Sequence, residues 1–231
     1  LEASGAHLTP SGRLRVHSST GLGIQLLSSL AGRYNERYPE VSLDLALSQC
    51  QPDPLAASLD VIITLSRELP DSELVTQRLG TVFSVVCAAP SYLVQHGIPR
   101  TPSALHRHRC LRLADPVFAD DWHFVGEGID EVIRPGETFK VNVAEAMASA
   151  AETGMGICLL PDYVAAPALQ RGALVRVLPQ FHLQHKHIHA LYPSRRFLDA
   201  KIRTWVEFLK QELPRAFHNY HEILQNPEHW A

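Results

Sequence analysis

The chain has 231 residues, 45% of them hydrophobic and 19% charged, with a formal net charge of −3. That length is long for one compact core and comfortable for two small lobes. The slight acidity argues against a nucleic-acid-binding surface, and no apolar run is long enough to span a bilayer. Cys50, Cys87, Cys110 and Cys158 are scattered without a C-x-x-C pair. They read as reduced thiols of a cytoplasmic protein rather than as a disulfide frame. A chain beginning at Leu1 rather than Met is expected to lack its natural N-terminus, so the absence of a signal peptide carries little weight.

Residues 1–12 have a linker composition ending in Thr9-Pro10-Ser11-Gly12. A short strand is expected over Arg13–Val16, then Ser18, Ser19 and Thr20 opening a helix. That helix carries Ile24, Leu27, Leu30, Ala31 and Tyr34 on one face and stops at Tyr38-Pro39. Val41, Leu43, Leu45 and Leu47 alternate with polar residues, which predicts a half-buried strand. A loop with Pro52 and Pro54 leads through a short helical patch to a buried strand, Leu59–Thr64. This β-α-β-α-β order predicts a parallel sheet with helices on its faces.

Further strands are expected at Leu74–Leu79 and Thr81–Ala88, then a helix from Pro90 to Gly97. Cys110–Leu113, Trp122–Val125, Glu131–Ile133 and Thr138–Val141 read as strands, and Asn142 as the N-cap of a helix over Ala144–Thr153. Ile157–Leu160 is a buried strand closed by Pro161, and a helix to Gln170 stops at Gly172. Leu174–Val177 and His187–Tyr192 are strands, and a last helix presents Leu198, Ile202, Trp205, Val206, Leu209 and Leu213 on one face.

The order and spacing of several motifs resemble the effector-binding region of LysR-type transcriptional regulators, from about Pro10 to Leu213. They include Pro10-x-Gly12-x-Leu14-Arg15-Val16, Tyr38-Pro39-x-Val41-x-Leu43, and Leu59-Asp60-Val61-Ile62-Ile63. Ala89-Pro90-Ser91-Tyr92-Leu93 with Gly97-x-Pro99, and Leu105-x-x-His108-x-Cys110-Leu111, come next. Trp122-x-Phe124, Val141-Asn142, Gly154-x-Gly156-Ile157 with Leu160-Pro161, and Gly172-x-Leu174-Val175 complete the set. The resemblance implies an α/β fold of two Rossmann-like lobes joined by a twice-crossed hinge, as in type 2 periplasmic binding proteins. Residues 13–88 and 189–213 would form lobe I and 89–188 lobe II. Residues 1–12 would be a linker remnant and 214–231 an extension past the family's usual end. It further implies a winged helix-turn-helix preceding Arg13, through which a homodimer or homotetramer contacts DNA. No membrane association is expected.

In open α/β sheets ligands sit outside the carboxyl ends of the strands, and helix starts there favour anions. The family's contacts map by position onto Ser18, Ser19, Thr20, Gln49 and Asn142. Strand-end geometry adds Thr64 and Arg67. A small carboxylate is the expected effector. The competing view makes Ser18 and Asn142 helix caps only. Gly21-Leu22-Gly23 invites a dinucleotide reading, but Leu26 stands where a third glycine belongs and Asp44 lies mid-strand. His185, His187 and His189 share one strand face and lack a carboxylate or thiol at ligand spacing, which favours a solvated or dimer-facing strand over a metal site. His106 and His108 read as surface residues at a helix end. Asp115, Asp120, Asp121 and His123 form a polar loop group without a nucleophile, so no enzyme, cofactor or metal is expected. The alternatives are an exported solute-binding protein and a thiol redox sensor using Cys50.

Overall fold

A computed structural model describes residues 9–50, 52–53, 58–67, 73–126, 128–193 and 199–231. Strand β1 (Gly12–Ser18) buries Leu14 and Val16 and exposes Arg13 and Arg15, the two-residue alternation of a strand. The chain then winds through α1 (Thr20–Leu22), a π-helical turn (Gly23–Leu27) and α2 (Ser28–Arg37) without a break. A Cβ on Gly23 would lie 2.1 Å from Leu47 Cδ2, so the helix approaches β2 (Val41–Leu47) more closely than a side chain tolerates unless Leu47 moves. Packing therefore explains this glycine without a phosphate. β1 pairs in parallel with β2 on one side and with β3 (Val61–Ser66) on the other. The helical patch expected after Pro54 falls outside the described residues.

Two long strands carry the chain between the lobes. β4 (Leu74–Ala88) is one continuous strand where two were expected. Gly80 does not interrupt it, because it stays paired opposite Ile188 of β11 (Leu183–Pro193). The main sheet has the order β4-β11-β3-β1-β2, and the far half of β4 pairs with β9 (Ile157–Pro161) and β10 (Val175–Arg176) instead. Cys110 bridges to Ile157, and β5 (Arg112–Leu113) pairs in parallel with β8 (Lys140–Val141), which extends the second lobe. β6 (Trp122–Gly126) and β7 (Ile129–Ile133) form an antiparallel hairpin.

Helices α3 (Pro90–His96), α4 (Ala144–Glu152) and α5 (Asp162–Gln170) belong to the second half of this order, and α6 (Ala200–Gln225) closes the chain. The expected face of α6 is buried at Ile202, Trp205, Val206, Leu209 and Leu213, while Leu198 lies outside the described residues. Trp205 packs edge-on against Tyr34 with ring centroids 5.0 Å apart. The larger core runs from Leu14, Tyr34 and Trp205 to Met147, Leu160 and Tyr163, and a smaller one gathers around Phe124, Trp122 and Tyr92. α6 continues through Pro214 for the full length of the helix, 26 residues. Beyond it Trp230 bridges to Arg176 of β10, so the last residues return to the second lobe.

Candidate functional site

The site lies at the carboxyl ends of β1, β2 and β3. Ser18 is the last residue of β1 and wholly buried, and its hydroxyl has no hydrogen-bond partner among the described residues. Ser19 occupies the N-cap position of α1, yet its side chain makes no capping bond and its buried hydroxyl is likewise unpartnered. An unsatisfied buried polar group costs about 1–3 kcal/mol, so two adjacent ones are strained unless a ligand or water completes them. The capping alternative fails for both residues it named. Ser18 is still strand, and the N-cap of α4 is Val143, one residue after Asn142 and without a side-chain bond.

Gln49, just beyond β2, holds the two lobes together. Its Oε1 accepts from the Thr20 backbone N–H at 3.2 Å. Its Nε2 donates to the Asn142 carbonyl at 2.6 Å and to Asp115 Oδ2. Asn142 thus takes part through its backbone rather than through its amide side chain. Asp115, two residues past β5, also accepts from the Val117 N–H at 2.7 Å.

Two small cavities flank this bridge, of about 80 and 10 Å³, and both are lined by Ser19, Gln49, Leu65 and Val117. His17, Ser48, Thr64, Ile62 and Ile63 complete the larger, and Gly21, Asp115 and Tyr163 are among the residues completing the smaller. Such volumes hold water, whereas a metabolite pocket needs roughly 300 Å³ or more. The cleft is closed.

Its two walls differ in chemistry. The first lobe offers hydroxyls, backbone N–H groups and the His17 ring, whose Nε2 lies 2.8 Å from Ser48 Oγ. Burial lowers the His17 pKa and so favours the neutral ring. The second lobe offers acids. Burial raises the pKa of Asp115, opposed by its hydrogen bonds from Val117, Phe118 and Gln49. Burial likewise raises Glu145, in the first turn of α4. A Cβ on Gly21 would meet Glu145 Oε1 and Tyr163 Cε2 at 3.2 Å each, so these groups press directly on the α1 turn.

Of the residues expected from sequence, the structure brings Ser18, Ser19, Thr20, Gln49, Thr64 and the Asn142 backbone together. Arg67 stands apart, in a separate groove with His182, His185 and Lys186. Sequence reasoning assigned no role to His17, Asp115, Glu145 or Tyr163. Asp115 was legible as a strand end, whereas Glu145 reads as an ordinary acid in a first helical turn. Cys87 and Cys110 are pushed by burial up to about 12, burial also raises Cys158 well above its ordinary value, and Cys50 is exposed. Among the described residues no group of three or more histidines, cysteines or acids could hold a metal ion, and no helix is long and apolar enough to cross a membrane.

Residues 7–214 match the model of the LysR substrate binding domain. The chain is 31% identical over 216 residues to the HTH-type transcriptional activator AaeR of Escherichia coli (strain K12), covering 92% of this chain and 70% of that protein. It is 30% identical over 214 residues to the HTH-type transcriptional regulator CrgA of Neisseria meningitidis serogroup C, with 92% and 71% covered. The CrgA regulatory domain structure from Neisseria meningitidis superposes with a TM-score of 0.79 at 29% identity, over 88% of this chain and 100% of that one. The regulatory domain of AphB in Vibrio vulnificus gives 0.73 at 26% identity, over 87% and 98%. The fold, the cleft and these matches agree: the chain belongs to the LysR substrate-binding domain family and has its two-lobed, periplasmic-binding-protein-like fold.

Proposed function

We propose that this domain senses a small metabolite in the cleft between its lobes and passes the change, as a homodimer or homotetramer, to the DNA-binding part of a LysR-type transcription regulator. The lobes in this reading are residues 13–88 with 189–213, and residues 89–188. The Gln49 bridge carries the reading. It ties the α1 turn to Asp115 and Asn142 across the cleft, beside two unpartnered serine hydroxyls. A ligand that replaces these bonds changes the cost of separating the lobes, and it shifts the population only if it prefers one lobe arrangement.

The effector is a small carboxylate with a second, donating group. Its anionic end meets Ser18, Ser19 and the N–H groups of the α1 turn, and its hydroxyl or ammonium meets Asp115 and Glu145. A plain monocarboxylate would offer those acids no donor in place of Gln49. For oligomerisation, the supporting observations are that β2 is the outermost strand of the main sheet and that Ile24, on the adjoining π-helical turn, is 51% exposed. A second copy of the domain is the occupant of that edge.

The test is a thermal-shift panel of simple carboxylates, aromatic acids, hydroxy acids, amino acids and nucleosides. A ligand at a hundredfold its Kd adds about 2.7 kcal/mol, which for a chain of this size is a rise of roughly 5–10 °C. Hydroxy or amino acids should give the largest rise, and Ser19→Ala should remove most of it. Hits confined to nucleosides, or an undiminished rise in Ser19→Ala, would contradict the cleft assignment.

A further inference from the structure

Beside the cleft lies a groove of about 570 Å³. The Asp115–Asp121 stretch lines both: Val117 and Phe118 face the cleft cavities, while Ala119 and Asp121 face the groove. Arg67 enters the groove from the end of β3, and His182, His185 and Lys186 from the start of the hinge strand β11. His123 enters from β6. Val125 and Leu183 add apolar surface.

Among the described residues the charges in this groove do not cancel: Asp121 is the one acid lining it, and Arg134 already pairs with that carboxylate at 3.4 Å. His123 is held by Asp130 at 2.6 Å. Among the described residues, no acid pairs with Arg67 or Lys186. The rings of His182 and His185 are positioned by Phe83, with centroids 4.1 and 5.7 Å from its own, and His182 stacks on it.

The backbone is shaped to present these groups. The β11–β4 ladder is irregular between Leu183 and Lys186, and Gln184 has a φ of 51°, in the left-handed region that non-glycine residues rarely adopt. Ser84 Oγ donates to Gln184 Oε1 at 3.1 Å, and Gln184 Nε2 donates to the Ala119 carbonyl at 2.7 Å. The bulge is thus pinned from both sides, and bulges of this kind re-aim side chains and recur beside functional sites.

We infer that this groove is a second small-molecule site, selective for a compact polyanion held between Arg67 and Lys186 with His182 and His185 alongside. Phosphate-bearing and polycarboxylate metabolites share that chemistry. The crowding of cations agrees with it. Burial, then the neighbouring Arg176, His185 and His221, pulls His182 down to about 4. Burial and then Arg67 lower Lys186. An anion between Arg67 and Lys186 relieves the repulsion of that pair.

Isothermal titration with pyrophosphate and, separately, with citrate at low salt tests the inference on the 231-residue chain. Saturable binding of either is expected, and the stronger of the two identifies the anion type. Arg67→Ala and Lys186→Ala should each weaken it at least about tenfold, and Gln49→Ala should leave it unchanged. Non-saturable heats with both probes would overturn the inference, as would binding that survives Lys186→Ala. Binding lost in Gln49→Ala but kept in Lys186→Ala would place the anion in the cleft instead. That result would leave the effector reading standing and remove this one.

Discussion

The cleft and the hinge groove share one loop and have opposite character. The cleft sets half-buried acids, Asp115 and Glu145, against hydroxyls and helix N–H groups, and Gln49 occupies the space where these meet. The groove gathers Arg67, Lys186 and histidines around open volume that no described side chain fills. A site filled by its own side chain must be opened by competition, so its ligand has to offer more than Gln49 does. An open site with uncancelled charge attracts its ligand through the field alone, and salt screens that attraction.

The comparison breaks most strongly at Gly23. Gly23→Ala puts a methyl group into Leu47 and should cost about 1–3 kcal/mol, lowering Tm while leaving pyrophosphate affinity at the groove unchanged. An unchanged Tm would mean that the helix has room to shift and that the close approach is not needed. Gln49→Ala comes next. It removes three hydrogen bonds, each contributing about 0.5–1.5 kcal/mol, but frees cleft volume, so a net loss of about 1–2 kcal/mol is expected by urea denaturation. A loss with no change in small-angle scattering or in ligand response would show that the bridge does not hold the cleft shut.

The two regions should also respond to pH with opposite signs. Glu145 and Asp115 have pKa values above their ordinary ones, so the folded state keeps their protons longer than the unfolded chain does. Their contribution is full in acid and is lost as pH rises through their folded pKa values. Glu145→Gln should therefore raise Tm near neutral pH and change it little below pH 4. His182 is shifted down to about 4, so the unfolded chain binds its proton first. That contribution is full above about 6.5 and is lost as pH falls toward 4. His182→Gln should flatten the decline over that window, and NMR should find the His182 ring neutral at pH 5.5. A protonated ring there would remove the groove's share of the pH response. Lys186→Ala is the smallest change, within about 0.5 kcal/mol in stability.

Much of the fold was legible because periodicity reports burial directly. The parallel β1, β2 and β3, the Leu27, Leu30 and Tyr34 face and the α6 face through Leu213 follow from alternation and from i, i+3, i+4 spacing. Ile24, expected on the same face as Leu27, is instead 51% exposed because the π-helical turn shifts its direction. Gly80 was misleading, since glycine reads as a break, yet here it stays paired within β4. Pro214 lacks an N–H, yet α6 continues through it. Residues 215–231 lie beyond the family match, and they bind both halves of the molecule. Tyr220 donates to the Gln25 carbonyl at 3.3 Å, and His221 lies 3.5 Å from the buried Asp162. The Arg176 guanidinium, itself buried, donates to the Leu224 carbonyl at 2.8 Å.

The site was only half legible. Strand ends and hydroxyls mark the first-lobe wall, because topology alone brings them together. The second-lobe acids are not marked, since only tertiary packing buries Glu145 against Gly21. Arg67 shows the limit of strand-end reasoning. It follows β3 by a single residue and still falls in the other site.

Hydrogen exchange at the backbone amides tests the central claim most directly, with the strongest thermal-shift ligand present and absent. The cleft account predicts added protection at residues 18–21, at Gln49 and around residues 142–145, with residues 182–186 unchanged. Protection confined to residues 182–186, or spread evenly over the chain, would contradict it.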